Sequence, residues 1–400
     1  MSDSFARARQ LFLDGVSLFE AGRHEEAEAN FEAALALVPG RVSTLVNLAG
    51  TRIRLGRHEA ALPLLDQALA AAPDDADAWV QRGNALGALG HHEESLACHA
   101  RVLALAPGDA QAWLRHGQAL QYVERHDDAL ASYERALSLD AGLAQAWTNR
   151  ANILKHRGRE DEAAAAFRQA IALGGDAALN GYYLAALTGE SAPRTPPRAY
   201  VERLFDDYAE TFDAHLVGQL GYRAHRLLLE PLQAQQGRAR FRRALDLGCG
   251  TGLCGPLIKA MAALVDGIDL SAAMLAKARE LGVYERLAQA DLVAHLAQTE
   301  QRHDLVVAAD VFIYVGALEP VFSGVQRVLE PGGTFCFSAE QAAADADFEL
   351  LPSLRYAHSE RYLRAVAAQA GFDVQRLVSQ PIREDQRRPI AGLYAYLRKL

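Results

Sequence analysis

Three glycines alternate with other residues in Gly248-Cys249-Gly250-Thr251-Gly252, directly after an apolar run, Ala244 to Leu247, that carries Asp246. Such a run reads as a buried strand, and the glycines read as the turn that leaves it. A strand that bends sharply into a helix needs backbone angles that a side chain forbids. Missing side chains also let a ligand lie on the backbone. The free N–H groups of a starting helix then favour an anion, either a phosphate or a carboxylate. Gly255 and Pro256 lead into an expected helix, Leu257 to Leu264, where a first-turn proline loses no hydrogen bond. Acids stand at the ends of strand-like runs: Asp246, Asp269, Asp291 and Asp310. Asp269 follows Asp246 by 23 residues, a spacing at which an acid accepts the ribose hydroxyls of a bound nucleoside.

Two readings of the glycine stretch compete. Gly250 to Gly255 fits G-x-G-x-x-G, the pattern of a nicotinamide-dependent oxidoreductase, which is weak by itself. The longer string D-x-G-x-G-x-G, Asp246 to Gly252, resembles motif I of the class I S-adenosylmethionine-dependent methyltransferases. That resemblance implies that Asp246, Gly248, Cys249, Gly250 and Gly252 lie against the methionine part of the cofactor. Asp269-Leu270-Ser271 with Met274 is similar to the family's ribose motif, and Ala290-Asp291-Leu292 to its adenine motif. Asp310 matches the acid after the fourth strand, beside the methionine part and the acceptor. Pro331-Gly332-Gly333 matches the turn before the fifth strand. The segment FDDYAETFDAHL, Phe205 to Leu216, resembles the aromatic helix that folds over the cofactor, with Tyr208 and Phe212 as lid residues. The alternative for that segment is an amphipathic helix packed on the sheet. An adenine-reading acid and a Pro-Gly-Gly turn are foreign to the dinucleotide pattern, which favours methyl transfer.

Methyl transfer asks little covalent help of a protein. A sulfonium methyl is already electrophilic, so the site must align the nucleophile and exclude water. A base is needed only where the acceptor arrives protonated. His358, in Arg355-Tyr356-Ala357-His358-Ser359, and Tyr314 are weak candidates for that role, and a structural role is the preferred reading for each. The family carries no universal catalytic residue and supplies no acceptor.

These groups need a scaffold. Strand-like segments Leu264–Ile268, Leu287–Ala290, Leu305–Ala309 and Thr334–Ser338 alternate with helical ones, Ser271–Leu281, Val293–Ala297 and Leu318–Leu329. Alternation of this kind predicts a mostly parallel sheet covered by helices on both faces. Val374–Ser379 and Gly392–Leu397 read as an antiparallel edge pair. The expectation for this half is a Rossmann-like α/β domain.

The first half has a different order. Pro39, Pro73 and Pro107 recur every 34 residues, as do Trp79, Trp113 and Trp147. Ala27, Ala61, Ser95, Ala129 and Ala163 keep the same step, and so do Phe31, Leu65, His99, Tyr133 and Phe167. The pattern resembles tetratricopeptide repeats, which implies an all-α solenoid of helix pairs. Gly22, Gly56, Gly90 and Gly158 mark the turn inside four repeats, with Glu124 in the other. The expected layout is multidomain. Residues 1–190 hold five repeats, about Ala8 to Gly175, and a capping helix. A linker follows at 191–199, and a methyltransferase domain at 200–400. By the tetratricopeptide pattern, Asn84, Gln118, Asn152, Lys155 and His156 lie on inner helices, where amides and a cation suit an extended peptide.

At 400 residues, half of them hydrophobic, two or three domains are expected. A net charge of −9 offers no global basic field, so no nucleic-acid partner is expected. Cys98, Cys249, Cys254 and Cys336 are scattered, and no second pair completes a zinc site. The start of the chain lacks a signal-peptide pattern, and no apolar run reaches membrane-spanning length. A soluble, cytoplasmic protein is expected. The function that the resemblance implies is methyl transfer to a small-molecule or protein acceptor, with the repeats recruiting a partner. The alternative is a repeat scaffold whose second domain binds cofactor without turnover.

Overall fold

The structure, a computed structural model, describes residues 2–190, 192–212, 221–234, 241–342, 346–385 and 388–400. The end of the aromatic segment, residues 213–216, lies outside them. The chain divides into two compact units, Met1–Ala177 and Ala178–Leu400.

In the first unit five helix pairs follow one another. They are α1 (Ser2–Glu20) with α2 (His24–Leu37), α3 (Val42–Arg54) with α4 (His58–Ala71), and α5 (Ala76–Ala88) with α6 (His92–Leu105). Next come α7 (Ala110–Tyr122) with α8 (His126–Leu139) and α9 (Ala144–His156) with α10 (Glu160–Ala172). The periodic small residues Ala27, Ala61, Ser95, Ala129 and Ala163 are all buried, as are Phe31, Leu65, His99, Tyr133 and Phe167. The helices of a pair meet this closely because glycine faces the large residue. A Cβ at Gly15, Gly83 or Gly117 would stand 2.7, 2.8 or 2.6 Å from the ring of Phe31, His99 or Tyr133. Each tryptophan ties its helix to the end of the previous pair. The indole N–H of Trp79 donates to the Pro73 carbonyl at 2.8 Å, that of Trp113 to Pro107 at 3.0 Å, and that of Trp147 to Ala141 at 3.0 Å. The third bond survives where alanine replaces the periodic proline.

The second unit opens with α11 (Ala177–Thr188), α12 (Arg198–Tyr208) and α13 (Ala224–Ala234). Its sheet then builds through β1 (Phe241–Leu247), α14 (Gly255–Lys259), β2 (Ala262–Asp269), α15 (Ala272–Glu280), β3 (Arg286–Gln289), α16 (Leu292–Gln298) and β4 (His303–Ala308). It continues with α17 (Glu319–Val328), β5 (Leu329–Gln341), β6 (Phe348–Leu350), β7 (Tyr356–His358), α18 (Glu360–Gln369), β8 (Phe372–Asp385) and β9 (Arg388–Lys399). The parallel order β3-β2-β1-β4-β5 reverses direction of travel between β1 and β4, and β8 and β9 form an antiparallel pair docked on β5. Side chains alternate across the strands. Leu245, Val306, Phe335 and Phe337 pack under one helical layer with Phe322, Val325 and Leu363, while Ala244, Val265, Val307 and Cys336 pack with Leu228, Leu229 and Ile258 on the other face.

Four local expectations change. The helix after the glycine turn is short, Gly255–Lys259, because β2 begins at Ala262 to pair its whole length with β1. Pro331-Gly332-Gly333 does not precede β5 but lies inside it. The register against β4 jumps from His303–Leu329 to Leu305–Thr334, so these residues bulge from the ladder, with Gly332 at φ 72°. The segment expected to cap the repeats packs within the second unit: Tyr182 of α11 lies against Leu350, Leu354 and Tyr356. The stretch read as a linker is bonded there too. The Pro193 carbonyl accepts from the Tyr356 hydroxyl at 2.8 Å, and the Arg194 carbonyl from the Ala317 amide at 2.9 Å. Among the described residues no helix is long and apolar enough to cross a membrane.

Candidate functional site

A cavity of about 820 Å³ opens beyond the carboxyl ends of β1, β2 and β4. Open α/β sheets bind ligands there, at the point where strand order reverses. Its floor is the glycine turn, where Gly248, Gly250 and Gly252 have φ of 64°, 54° and 92°. Gly250 shows why the residue must be glycine. Its φ is one that side chains rarely adopt, and a Cβ there would meet no protein atom within 4 Å, so the turn is open to the cavity.

Asp269, the last residue of β2, lines the cavity with Leu270. Its two carboxylate oxygens accept from the Gly250 amide at 2.8 Å and the Ser271 amide at 2.9 Å. One of the turn's amides is thus spent on the chain's own carboxylate. Burial pushes the Asp269 carboxyl up, against the pull of the Ser271, Gly250 and Leu270 amides. A carboxylate has about four acceptor positions, so capacity remains for ligand hydroxyls. Asp291 and Leu292 line the cavity after β3, where the Asp291 side chain caps α16 by accepting from the Ala294 amide at 2.9 Å.

Asp310, after β4, is held in the left-handed region at φ 59°. Non-glycine residues are strained there, and such strain collects at functional sites. Two contacts hold it: its amide donates to the Ser338 hydroxyl at 2.8 Å, and both its oxygens accept from Arg383, at 3.2 and 3.0 Å. Arg383 is itself buried and also bonds Glu340. Over the cavity, α12 presents Phe205 and Tyr208, and Phe212 follows. Phe205 meets Tyr314 edge-on at 5.0 Å, and Tyr208 meets Phe212 at 5.2 Å. The helix is tied down by Asp206, which accepts from the Ser271 hydroxyl at 2.5 Å, and by Glu210, paired with Lys277 at 3.0 Å.

The sequence matches the family model for a methyltransferase domain over residues 245–337. It matches tetratricopeptide repeat models over residues 18–79, 53–118 and 114–178. The chain joins tetratricopeptide repeats to a class I methyltransferase domain. Domains of this class use S-adenosylmethionine. Relatives of the methyltransferase domain include a trans-aconitate 2-methyltransferase of Paracidovorax citrulli, 35% identical over 37% of this chain and 51% of the relative. A malonyl-[acyl-carrier protein] O-methyltransferase of Enterobacter lignolyticus is 32% identical over 34% of this chain and 54% of the relative. The chain thus spans about half the length of the curated relatives it matches. Among solved structures, a magnesium protoporphyrin IX methyltransferase from Synechocystis is similar at TM-score 0.41 and 18% identity, covering 51% of this chain and 99% of that one. A tetratricopeptide protein of Thermus thermophilus is similar at TM-score 0.37 and 25% identity, covering 42% of this chain and 91% of that one.

Within the methyltransferase domain, several residues expected at the cofactor do not line the cavity. Asp246 points into the domain beneath the turn. It is buried and accepts from the Tyr284 hydroxyl at 2.8 Å, and burial pushes its carboxyl up to about 7. Met274 is buried in the first turn of α15. Gly252 serves packing, since a Cβ there would stand 2.6 Å from Leu281. Of the two base candidates, His358 is walled off. It is fully buried on β7, bonds the Gly316 carbonyl at 2.9 Å, and burial lowers its imidazole to about 4. Tyr314 does line the cavity, with its hydroxyl pushed up by burial and Arg355 acting against that shift. Cys249 and Cys254 are buried free thiols at the turn, and burial pushes both up. Arg355, Arg383, Tyr200 and Tyr284 were missed. They lie far along the chain from the glycine motif or outside any motif, and tertiary packing assembles them: Arg355 from beside β7, Arg383 from β8 and Tyr200 from α12 at the cavity, and Tyr284 from the loop before β3 beneath it.

Proposed function

We propose that the methyltransferase domain binds S-adenosylmethionine in this cavity and transfers its methyl group by in-line displacement to an acceptor, while the repeats recruit a partner or substrate. One observation carries the reading: the half-buried Asp269 carboxylate is bonded to the Gly250 amide, so an acid suited to a ribose and an open glycine turn share one cavity floor. The residues present fit the cofactor. Asp269 has spare acceptor capacity for ribose hydroxyls, Asp291 for an exocyclic amine, and Gly248, Cys249 and Gly250 leave backbone exposed for the aminoacyl end.

Bound, the cofactor supplies an electrophilic methyl on a sulfonium. The chain's residues do the rest. Asp269 and Asp291 hold the nucleoside. Phe205, Tyr208 and Phe212 form an aromatic cover that keeps water out. Arg383 fixes Asp310 at the edge of the reacting region. Tyr314 keeps its proton and orients rather than abstracts. On the repeat unit, Asn84, Gln118, Asn152, Lys155 and His156 belong to α5, α7 and α9 and form the proposed peptide-facing set. The relatives' names cover unlike acceptors, so none is carried over.

Calorimetric titration of the full chain with S-adenosylhomocysteine, beside NADH, tests the reading. Binding of the homocysteine nucleoside alone is expected. Binding of NADH alone would restore the dinucleotide reading, and binding of neither would leave the repeats as the working part.

A further inference from the structure

The cavity holds three guanidinium groups, from Arg198, Arg355 and Arg383, and they differ in one respect. Arg198 pairs with Glu202 at 2.9 Å, and Arg383 is shared between Asp310 and Glu340. Among the described residues Arg355 has no carboxylate partner. Its neighbours in the cavity are phenols: its charge acts on the hydroxyls of both Tyr314 and Tyr200. All three residues are half-buried. Arg355 donates a side-chain hydrogen bond to the Tyr314 hydroxyl, so one guanidinium and two phenols form a donor-rich cluster that holds no carboxylate. Leaving a cation half-desolvated without a counter-charge costs stability, and a planar carboxylate is the partner its fork matches.

The loop that carries Arg355 is built rather than loose. Leu354 sits in the left-handed region at φ 63°, strained for a non-glycine residue. The Arg355 carbonyl accepts from the Leu351 amide at 2.8 Å, and the Leu354 carbonyl accepts from the Tyr182 hydroxyl at 2.7 Å. The helix α11 therefore holds this loop in place. Around the donors, Val201, Leu204, Phe205 and Ile313 give the cavity apolar walls.

Among the described residues that line the cavity, none outside the nucleoside-holding Asp269 and Asp291 is a histidine or a carboxylate without an ion-pair partner. His358 is shut away from the cavity, and the Asp310 carboxylate is committed to an ion pair with the buried Arg383 guanidinium. An acceptor that reaches such a site must arrive already deprotonated. A carboxylic acid does so at neutral pH.

Resting on the methyltransferase reading, we infer that the methyl acceptor is a carboxylic acid with an apolar body, held by Arg355, Tyr314 and Tyr200 and methylated on a carboxylate oxygen. A lone pair of that oxygen forms the new O–CH3 bond as the S–CH3 bond breaks. The bonding pair stays on sulfur, one negative and one positive charge vanish together, and no proton moves. The neutral ester no longer pairs with Arg355, which favours its release.

The aminoacyl end of the cofactor is itself a carboxylate, so the test must separate two sources of one chemistry. Wild-type protein saturated with S-adenosylhomocysteine is titrated with 3-phenylpropanoate and octanoate, and with the amide of each. At least one acid should bind about tenfold or more tightly than its amide, the scale of a charge-assisted hydrogen bond. Arg355→Gln should erase that preference and leave S-adenosylhomocysteine affinity unchanged. If neither acid outbinds its amide in the loaded wild-type protein, the inference fails while the cofactor reading stands. If Arg355→Gln weakens S-adenosylhomocysteine but spares 5′-methylthioadenosine, which lacks the carboxylate, Arg355 serves the cofactor and the inference is overturned. If wild-type protein binds no S-adenosylhomocysteine, both readings fall together.

Discussion

The repeat unit and the methyltransferase domain both place glycine where a side chain would intrude, and they do so for opposite reasons. Gly15, Gly83 and Gly117 make room for rings of the chain itself, those of Phe31, His99 and Tyr133. Gly250 makes room for no protein atom at all. The same contrast holds for strained residues. In the repeats, Glu124 takes φ 59° at a turn where the other repeats have Gly22, Gly56, Gly90 and Gly158. In the domain, the residues at positive φ that are not glycine, Asp310 and Leu354, line the cavity or adjoin Arg355. Strain in the repeats is thus an exchange of one residue in a regular turn. Strain in the domain falls at the cavity and the loop beside it, where bonds to Ser338, Arg383 and Tyr182 hold it in place.

Four experiments sharpen or break this contrast. The largest effect is expected where the units agree. Each buries a neutral histidine, His99 and His358, with the imidazole lowered to about 4. Between about pH 6.5 and 4 the unfolded chain binds these protons and the folded chain does not, so stability is present above 6.5 and lost as pH falls. Each ring accounts for up to about 3 kcal/mol over that window. His99→Leu, copying Leu65 at the matching position, and His358→Gln should each flatten the slope of denaturant stability against pH. Slopes identical to wild type would mean that the rings charge in place.

Asp269→Ala comes next. Loss of a charged acceptor costs about 1.5–3 kcal/mol, so affinity for S-adenosylhomocysteine should fall about tenfold or more. Unchanged affinity in a folded variant would remove Asp269 from the ribose. Gly117→Ala should then destabilise the repeats by about 1–3 kcal/mol through overpacking against Tyr133, whereas Gly250→Ala, strained but unobstructed, should act on cofactor affinity more than on packing. Equal effects on both readouts would erase the distinction between the two glycines. The smallest change expected is Glu124→Gly, a gain of about 1 kcal/mol in unfolding free energy from relief of the left-handed conformation. Asp310→Gly relieves the same strain but should abolish the Arg383 pairing, so methyl transfer should fall as strain is released.

The repeats were legible residue by residue because each unit buries its large periodic residue against its own pair, and three of the five bond a tryptophan to the end of the previous pair. Contacts of short range in sequence leave a period that can be counted. The glycine turn, Asp269 and Asp291 were legible for a related reason: each lies within a few residues of a strand end, and strand ends are local. Asp246 belongs to the same motif, yet it turns inward to Tyr284, a partner 38 residues away whose approach is set by how α15 and β3 pack. Motif membership alone does not say which way a side chain points.

The amino-acid sequence determined the kinds of element, their order, the glycine turn that faces the cavity and most of the acids around it, because propensity, glycine conformation and short spacing act locally. Tertiary structure decided which of those residues face the cavity and which distant ones join them. Glu340 of β5 pairs with Ala357 of β7 on one edge and Gly392 of β9 on the other. That register carries Arg355 and Arg383 to the cavity beside Asp310, and α12 adds Tyr200. No local spacing encodes those distances, since they depend on how separate strands align and on the apolar layers that lock the alignment.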